Sequence, residues 1–298
     1  MKDYSIVLEK TKMIDEMFRD FYQRNKEILS VFVVGSMHEP EKYIPRQNND
    51  YDIRILVEKV SPELLQKAEA FQKEICENLC DDEVLVEYNN LVGPVNHSLS
   101  EDKCNLLVHL LIHTVDDLSR FLPVTHQRKY RRYHRIVCGE DYLNNLEEYY
   151  QPEYLISSHE GIEYCVDMLQ RRVYKYLIWN ERDGEVSFDY MENPVSDELK
   201  NEMIFYSVKN IVWNLYETCV IDKGEEVSVQ AYAHYLAGDN KVWHDIMDAV
   251  MARDEIALEK MGESMNQETI DMLEYVKEMI AKGAVVYKNP NTGKKLIA

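Results

Sequence analysis

Apolar residues in the first half of the chain follow two patterns, one with helical spacing and one with the short runs typical of strands. Four apolar residues at helical spacing predict an opening helix: Ile14, Met17, Phe18 and Phe21. Short apolar runs predict four strands, at residues 31–34, 51–57, 84–88 and 106–112. Ser61 and Pro62 are typical of an N-cap and a first helical residue, so a second helix is expected there. The pattern predicts an α+β fold with a mixed α/β sheet.

The second half of the chain has mainly helical periodicity. Apolar stripes at helical spacing cover residues 162–176, 204–215 and 270–280. Residues 184–194 and 222–226 are expected to be connecting loops. We therefore predict two domains, a sheet domain at 1–150 and a C-terminal helical bundle at 151–298.

Two aspartates, Asp50 and Asp52, stand at alternate positions where the second predicted strand begins. Alternate side chains of a strand share a face, so both carboxylates lie opposite Tyr51 and Ile53. They are then about 6.6 Å apart along the strand, and at an effective dielectric near 20 they repel by about 2 to 3 kcal/mol. A divalent cation relieves this repulsion, and carboxylate oxygens suit Mg²⁺ or Mn²⁺. The spacing predicts a metal site, although Asp-x-Asp is also common on solvated strand edges.

A small-residue bend precedes this strand. Gly35 and Ser36 follow the apolar run 31–34, and thirteen residues separate Ser36 from Asp50. Gly35 has no Cβ, so its backbone can come close to a phosphate, while Ser36 offers its N–H and hydroxyl to an anion. Such pairs also mark ordinary turns, and it is the combination with Asp50 and Asp52 that predicts a phosphate-binding element beside a metal site.

Gly-Ser followed by Asp-x-Asp within an apolar strand resembles the DNA polymerase beta-like nucleotidyltransferase superfamily. Within it, the chain resembles the bacterial aminoglycoside nucleotidyltransferases of the streptomycin and kanamycin type. The resemblance implies a catalytic domain at 1–150 and a helical substrate-binding domain at 151–298. It further implies Mg²⁺ or Mn²⁺ on Asp50 and Asp52, and ATP or another nucleoside triphosphate on Gly35 and Ser36. The acceptor it implies is a small hydroxylated molecule, with aminoglycosides as one candidate.

The family pattern usually has a third carboxylate on a neighbouring strand, and here the chain departs from it. The predicted strand at 106–112 is the one that matches this neighbouring strand, and it has His109 where the third carboxylate is expected. An imidazole can accept a proton near neutral pH but is a poor ligand for Mg²⁺. His109 is therefore a candidate catalytic base, and a histidine satisfied within an apolar strand is the alternative. Other candidate bases are Glu87 on the preceding strand and three acidic residues of the first C-terminal helix, Glu160, Glu163 and Asp167.

Composition narrows the classes of partner. The formal charge of −20 argues against nucleic acid as the main partner, because duplex binders need a basic face. Cationic small molecules would be attracted to such a surface, and solubility alone is the alternative explanation of the acidity. The six cysteines include no C-x-x-C pair, so neither a disulfide framework nor a zinc site is expected. The charged N-terminus and the lack of a long apolar run predict no signal peptide and no membrane span, which favours the cytoplasm.

Residues 126–135 form the one strongly basic segment, for which ion pairing and contact with phosphates are both open interpretations. The sequence predicts a cytoplasmic nucleotidyltransferase that moves a nucleoside monophosphate to a hydroxyl group. Two alternatives stay open: a degenerate nucleotide-binding regulatory protein without transfer activity, which the missing carboxylate favours, and a protein-modifying, toxin-neutralising nucleotidyltransferase. Oligomeric state is not indicated.

Overall fold

A computed structural model describes residues 4–89, 100, 102–120, 122–182, 185–196, 200–262 and 264–285. These residues fall into two compact units. The first contains the described residues up to Glu148 together with Tyr176–Met191. The second contains Tyr149–Lys175 and the described residues from Glu192 onward. The functional division at residue 150 stays a prediction.

The first unit is built on a mixed five-stranded sheet. Its strands are β1 (Ile28–Val34), β2 (Asn48–Val57), β3 (Val84–Asn89), β4 (Cys104–Thr114) and β5 (His134–Gly139), in the order β3-β4-β2-β1-β5. Strand β4 runs parallel to β2 and β3, whereas β1 is antiparallel to both β2 and β5. The prediction of an α+β fold with a mixed sheet is confirmed.

Helices cover both faces of this sheet. On one face lie α1 (Ile6–Arg24) and α2 (Pro62–Leu79), and the shorter α3 (Val115–Arg120) and α4 (Val124–Arg132) follow β4. Alternate residues of β2 give each face its own core. Tyr51, Ile53, Ile55 and Val57 pack with α1 and α2, whereas Leu56 packs with residues of α3 and α4. The predicted start of α2 is confirmed, because Ser61 Oγ accepts a hydrogen bond from Leu64 N.

A buried polar network ties three elements of this unit together. The Tyr51 hydroxyl donates to Asp15 Oδ1, and the Arg135 guanidinium lies 2.8 Å from Asp15 Oδ2 and 3.0 Å from the Tyr51 hydroxyl. Tyr51 is 1% exposed, so these bonds replace water that the side chain has lost. The network thus links β2 to α1 and to β5.

A hairpin that the sequence did not predict follows α5 (Gln151–Arg171). Its strands are β6 (Val173–Arg182) and β7 (Glu185–Pro194). The helical stripe extrapolated to residue 176 and the loop expected at 184–194 are therefore wrong. The helix stops because Arg172 takes a left-handed conformation (φ 49°), after which aromatic and β-branched residues favour a strand.

The second unit is mainly helical. After α5 it contains α6 (Lys200–Cys219), α7 (Val229–Ala237), α8 (Lys241–Ala252), α9 (Glu255–Lys260) and α10 (Met265–Ala281). Its buried apolar residues include Ile162, Val208, Leu215, Leu236 and Leu273. Among the described residues, no helix is long and apolar enough to cross a membrane.

Candidate metal centre

Strands β2 and β4 bring three ligand-bearing side chains together. Asp50 and Asp52 lie on the same face of β2, and the parallel register places His109 of β4 directly beside Asp52. One ligand atom from each of the three side chains lies within 4.8 Å of the other two. The two aspartates and the histidine selected from the sequence therefore form one cluster.

Asp52 and His109 are hydrogen-bonded within this cluster. His109 Nδ1 lies 3.0 Å from Asp52 Oδ1. An ionised carboxylate can only accept a hydrogen bond, so Nδ1 of His109 carries a hydrogen and donates the hydrogen bond to Asp52. The bond fixes the orientation of the imidazole ring beside the two carboxylates.

The small-residue bend lies directly against Asp52. Gly35 directly follows β1 with φ of 76°, and a Cβ on this residue would lie 2.6 Å from Asp52 Oδ2. Glycine is needed here for two reasons, the left-handed backbone and the lack of space. Ser36 follows in a short 3₁₀ turn, Gly35–His38, in which His38 Nδ1 lies 2.8 Å from the Gly35 carbonyl oxygen. The bend and the carboxylates that the sequence paired are therefore adjacent.

Arg54 is a central residue of this region that the sequence did not identify. It follows Asp52 on the same face of β2 and is only 4% exposed. Its Nη2 lies 3.1 Å from Asp52 Oδ1, and its Nη1 donates to the backbone oxygen of His109 at 2.8 Å. Its Nε donates to the Tyr130 hydroxyl at 2.9 Å. An arginine inside an apolar strand gave no sequence pattern that would indicate these contacts.

The charge state of Asp52 follows from these neighbours. Burial alone would raise its pKa, but the hydrogen bond from His109 and the charge of Arg54 outweigh burial and lower the pKa to about 2. The charge of Arg54 also acts on two further histidines, His113 and His126. Burial, assisted by nearby positive charge, lowers the pKa of His113 and of His126 to about 3. Asp52 is therefore ionised and both histidines are neutral near pH 7.

The donor set of the cluster fits a divalent cation. Asp50 and Asp52 supply the carboxylate oxygens that Mg²⁺ and Mn²⁺ prefer. His109 supplies an imidazole, which suits a transition-metal ion better than Mg²⁺. A cation at this position also offsets the repulsion between two carboxylates held on one face of a strand.

A shallow cavity of about 270 Å³ adjoins the bend. Its lining includes Ser36 and three side chains that can carry positive charge, His38, Lys42 and Arg46. Glu39 also lines the cavity and lies 2.8 Å from Lys42 and 3.7 Å from His38, so it offsets part of their positive charge. Arg46 still places a cationic group in the cavity that Ser36 lines, as an anionic ligand requires.

The basic segment at 126–135 is largely engaged in contacts within its own unit. Arg128 is 3% exposed, Arg131 lies 3.2 Å from Glu148, and Arg135 pairs with Asp15. Tyr130 of the same segment accepts the bond from Arg54. For Arg131 and Arg135 the ion-pairing interpretation describes the structure.

The other candidate bases lie outside the cluster. Glu87 pairs in register with Leu107 of β4, two residues before His109. Glu160, Glu163 and Asp167 lie on α5, in the second unit. There Asp167 lies 3.3 Å from Arg171, and Glu163 lies 3.7 Å from Lys277. The turn expected at Gly93 and Pro94 and the tail from Tyr287 lie outside the described residues.

No protein-family model matches the chain, and a search of the curated proteins finds no significant match. The resemblance to nucleotidyltransferases therefore rests on four residues, Gly35, Ser36, Asp50 and Asp52, and on the geometry described above.

Proposed function

We propose that this protein is a metal-dependent nucleotidyltransferase, which moves a nucleoside monophosphate from ATP or another nucleoside triphosphate to a hydroxyl group of a small molecule. One observation carries the proposal. Asp50, Asp52 and His109 converge within 4.8 Å, and the backbone of Gly35 lies against Asp52. A metal-binding element and a phosphate-binding bend at the same place are what this reaction requires.

Each residue of the cluster has a role in this proposal. Asp50 and Asp52 hold Mg²⁺ or Mn²⁺, and Gly35 and Ser36 bind the β- and γ-phosphates. Arg46 adds positive charge on the side of Ser36. The bound cation neutralises negative charge that develops on the phosphates as pyrophosphate leaves. The protein itself contributes mainly positioning and electrostatic stabilisation.

The reaction balances as a single displacement at the α-phosphorus. The acceptor oxygen forms a bond to that phosphorus, and the bond to the oxygen that bridges to the β-phosphate breaks. Pyrophosphate leaves with the electron pair of the broken bond. The hydroxyl proton passes to a base, for which His109 is the candidate because its ring is oriented by Asp52.

The acceptor belongs to the class of small hydroxylated molecules, and a cationic one suits the chain best. The formal charge of −20 attracts polycations such as aminoglycosides. We place acceptor binding in the helical domain at 151–298, by analogy with the family that the motif resembles. The reaction suits the cytoplasm, where nucleoside triphosphates and Mg²⁺ are abundant.

A second candidate function is nucleotide binding without transfer. It is favoured by His109 at the position of the usual third carboxylate, because a site with two carboxylates binds a cation less firmly than one with three. This candidate predicts that a nucleoside triphosphate and a cation bind together without release of pyrophosphate.

Pyrophosphate release separates the two candidates. Wild-type protein is incubated with Mg²⁺ or Mn²⁺, four nucleoside triphosphates and a panel of hydroxylated acceptors, beside Asp50→Ala and Asp52→Ala. Asp116→Ala is the matched control, because Asp116 is an exposed carboxylate of the same unit. We expect release in the wild type and the control only. Release that survives both substitutions removes these aspartates from the mechanism, and nucleotide binding without release for every acceptor supports the second candidate.

A further inference from the structure

Arg54 carries a positive charge buried directly behind the two carboxylates. A buried guanidinium is costly unless it is paired and hydrogen-bonded, and four bonds satisfy this one. Among the described residues, the only carboxylate paired with Arg54 is that of Asp52. The charge is therefore directed at a residue of the cluster.

The cluster has little net negative charge as a result. Asp50 and Asp52 contribute two negative charges, Arg54 contributes one positive charge, and the neighbouring His113 and His126 are neutral. Arg54 thus offsets one of the two negative charges that Asp50 and Asp52 can set against a divalent cation. A cation that arrives alone is therefore balanced less completely in this partly buried site than it would be without Arg54.

The contacts of Asp52 lead to the same conclusion. Its Oδ1 accepts from both Arg54, at 3.1 Å, and His109, at 3.0 Å. A cation that binds this oxygen competes with two donors that are already in place. The other oxygen, Oδ2, faces the backbone of Gly35, where the proposed phosphates bind. The carboxylate is thus fixed in orientation, but its interaction with a cation alone is weakened by the two donors on Oδ1.

We propose that Arg54 is a fixed internal counter-charge that prevents the cluster from loading a divalent cation on its own, so that the cation enters together with the triphosphate as one complex. This inference rests on the proposed function, because a triphosphate is the source of the missing negative charge. Arg54 is a positioning residue here, since it acts through Asp52. The ligand recognised by the resting protein is then a metal–polyphosphate complex.

Binding of Mn²⁺ tests the inference without any turnover. Full-length protein is dialysed against Mn²⁺ alone and against preformed complex of Mn²⁺ with inorganic tripolyphosphate, and protein-bound Mn²⁺ is measured by electron paramagnetic resonance. Three proteins are compared: wild type, Arg54→Met, which removes the charge, and Arg54→Lys, which keeps it. Arg24→Met is the matched control, because Arg24 is an exposed arginine of the same unit.

We expect the wild type to bind the preformed complex at least about tenfold more tightly than Mn²⁺ alone, the factor given by about 1.4 kcal/mol. Arg54→Met should bind Mn²⁺ alone roughly tenfold more tightly than the wild type does. Arg54→Lys should keep the wild-type preference. A role limited to hydrogen bonding would instead impair both variants alike, because lysine cannot replace the planar fork of arginine.

Wild-type protein that binds Mn²⁺ alone as tightly as the complex overturns the inference, even if Arg54→Met does not fold. Equal behaviour of the Lys and Met variants overturns it as well. Failure of the proposed function has a different result: the binding preferences appear as described, but no nucleoside triphosphate releases pyrophosphate.

Discussion

Substitution of Gly35 by alanine tests the contact between the bend and Asp52. The added methyl group has two separate effects. A left-handed conformation costs a residue with a Cβ about 1 to 2 kcal/mol. The new Cβ would also lie 2.6 Å from Asp52 Oδ2, whereas ordinary contact begins at 3.4 Å, so the bend or the carboxylate must move by about 0.8 Å.

The Asp52 side chain cannot move away easily, because Arg54 and His109 both donate hydrogen bonds to its other oxygen, Oδ1. The movement therefore displaces a group at the proposed reacting centre. Misplacement by about 1 Å costs on the order of 100-fold in rate. We expect Gly35→Ala to lower the unfolding free energy by at least about 1 to 2 kcal/mol, the cost of the backbone alone. The rate of pyrophosphate release should fall about 100-fold.

Gly224→Ala is the matched control, because it isolates the backbone effect. Gly224 has a similar φ of 67°, and a Cβ there would meet no atom within 4 Å. Urea unfolding should give a loss of about 1 to 2 kcal/mol for Gly224→Ala and a loss at least as large for Gly35→Ala, which also has the steric contact. Pyrophosphate release should fall only in Gly35→Ala. If Gly35→Ala retains the activity of Gly224→Ala, the bend does not act with Asp52, and the phosphate-binding role of Gly35 is refuted.

Three further predictions concern stability, pH and nucleotide binding. Tyr51→Phe removes a hydroxyl from a buried network and should lower the unfolding free energy by about 1 to 3 kcal/mol. The control Tyr150→Phe, at a residue 79% exposed, should change the unfolding free energy little. Equal unfolding free energies of the two variants in urea would contradict a stabilising role of the network. Burial lowers the pKa of His113 to about 3 in the folded protein, whereas an unfolded histidine has a pKa near 6.5. Between these two pH values the unfolded chain binds a proton that the folded protein does not bind. The free energy of unfolding therefore falls as the pH drops below about 6.5, by up to roughly 1.4 kcal/mol per pH unit. His113→Asn should reduce this slope in urea unfolding between pH 7 and pH 5, and an unchanged slope would exclude His113 as its source. Arg46→Gln should raise the KM for nucleoside triphosphate roughly tenfold by loss of a charged contact with phosphate, while Arg24→Gln should not; equal KM values would remove the cavity beside Ser36 from nucleotide binding.

The sequence identified the parts of the site that depend on local patterns. Alternation along β2 placed Asp50 and Asp52 on one face, and matching β4 to the family pattern placed His109 at the third position. Strands β1 to β4 and the start of α2 were predicted for the same reason, because period and capping are local properties, whereas β5 was not predicted. The parallel register that brings His109 beside Asp52 is not local, and it required the structure.

The features that the sequence did not reveal depend on tertiary contacts. Arg54 is one residue in an apolar strand, and only packing against Tyr130 and the backbone of β4 makes its charge part of the cluster. Likewise, the hairpin of β6 and β7 was missed because a single left-handed residue, Arg172, ends α5 within an apparently continuous helical stripe. In the basic segment, charge alone could not distinguish ion pairing from ligand contact.

The most direct test of the central claim is a crystal structure with Mn²⁺ and a non-hydrolysable nucleoside triphosphate, with the metal located by its anomalous signal. We expect one anomalous peak bonded to carboxylate oxygens of both Asp50 and Asp52, with phosphate oxygens of the nucleotide completing its coordination beside Gly35 and Ser36. A nucleotide-dependent peak elsewhere on the protein, or a nucleotide bound without metal at these aspartates, would contradict the proposed site.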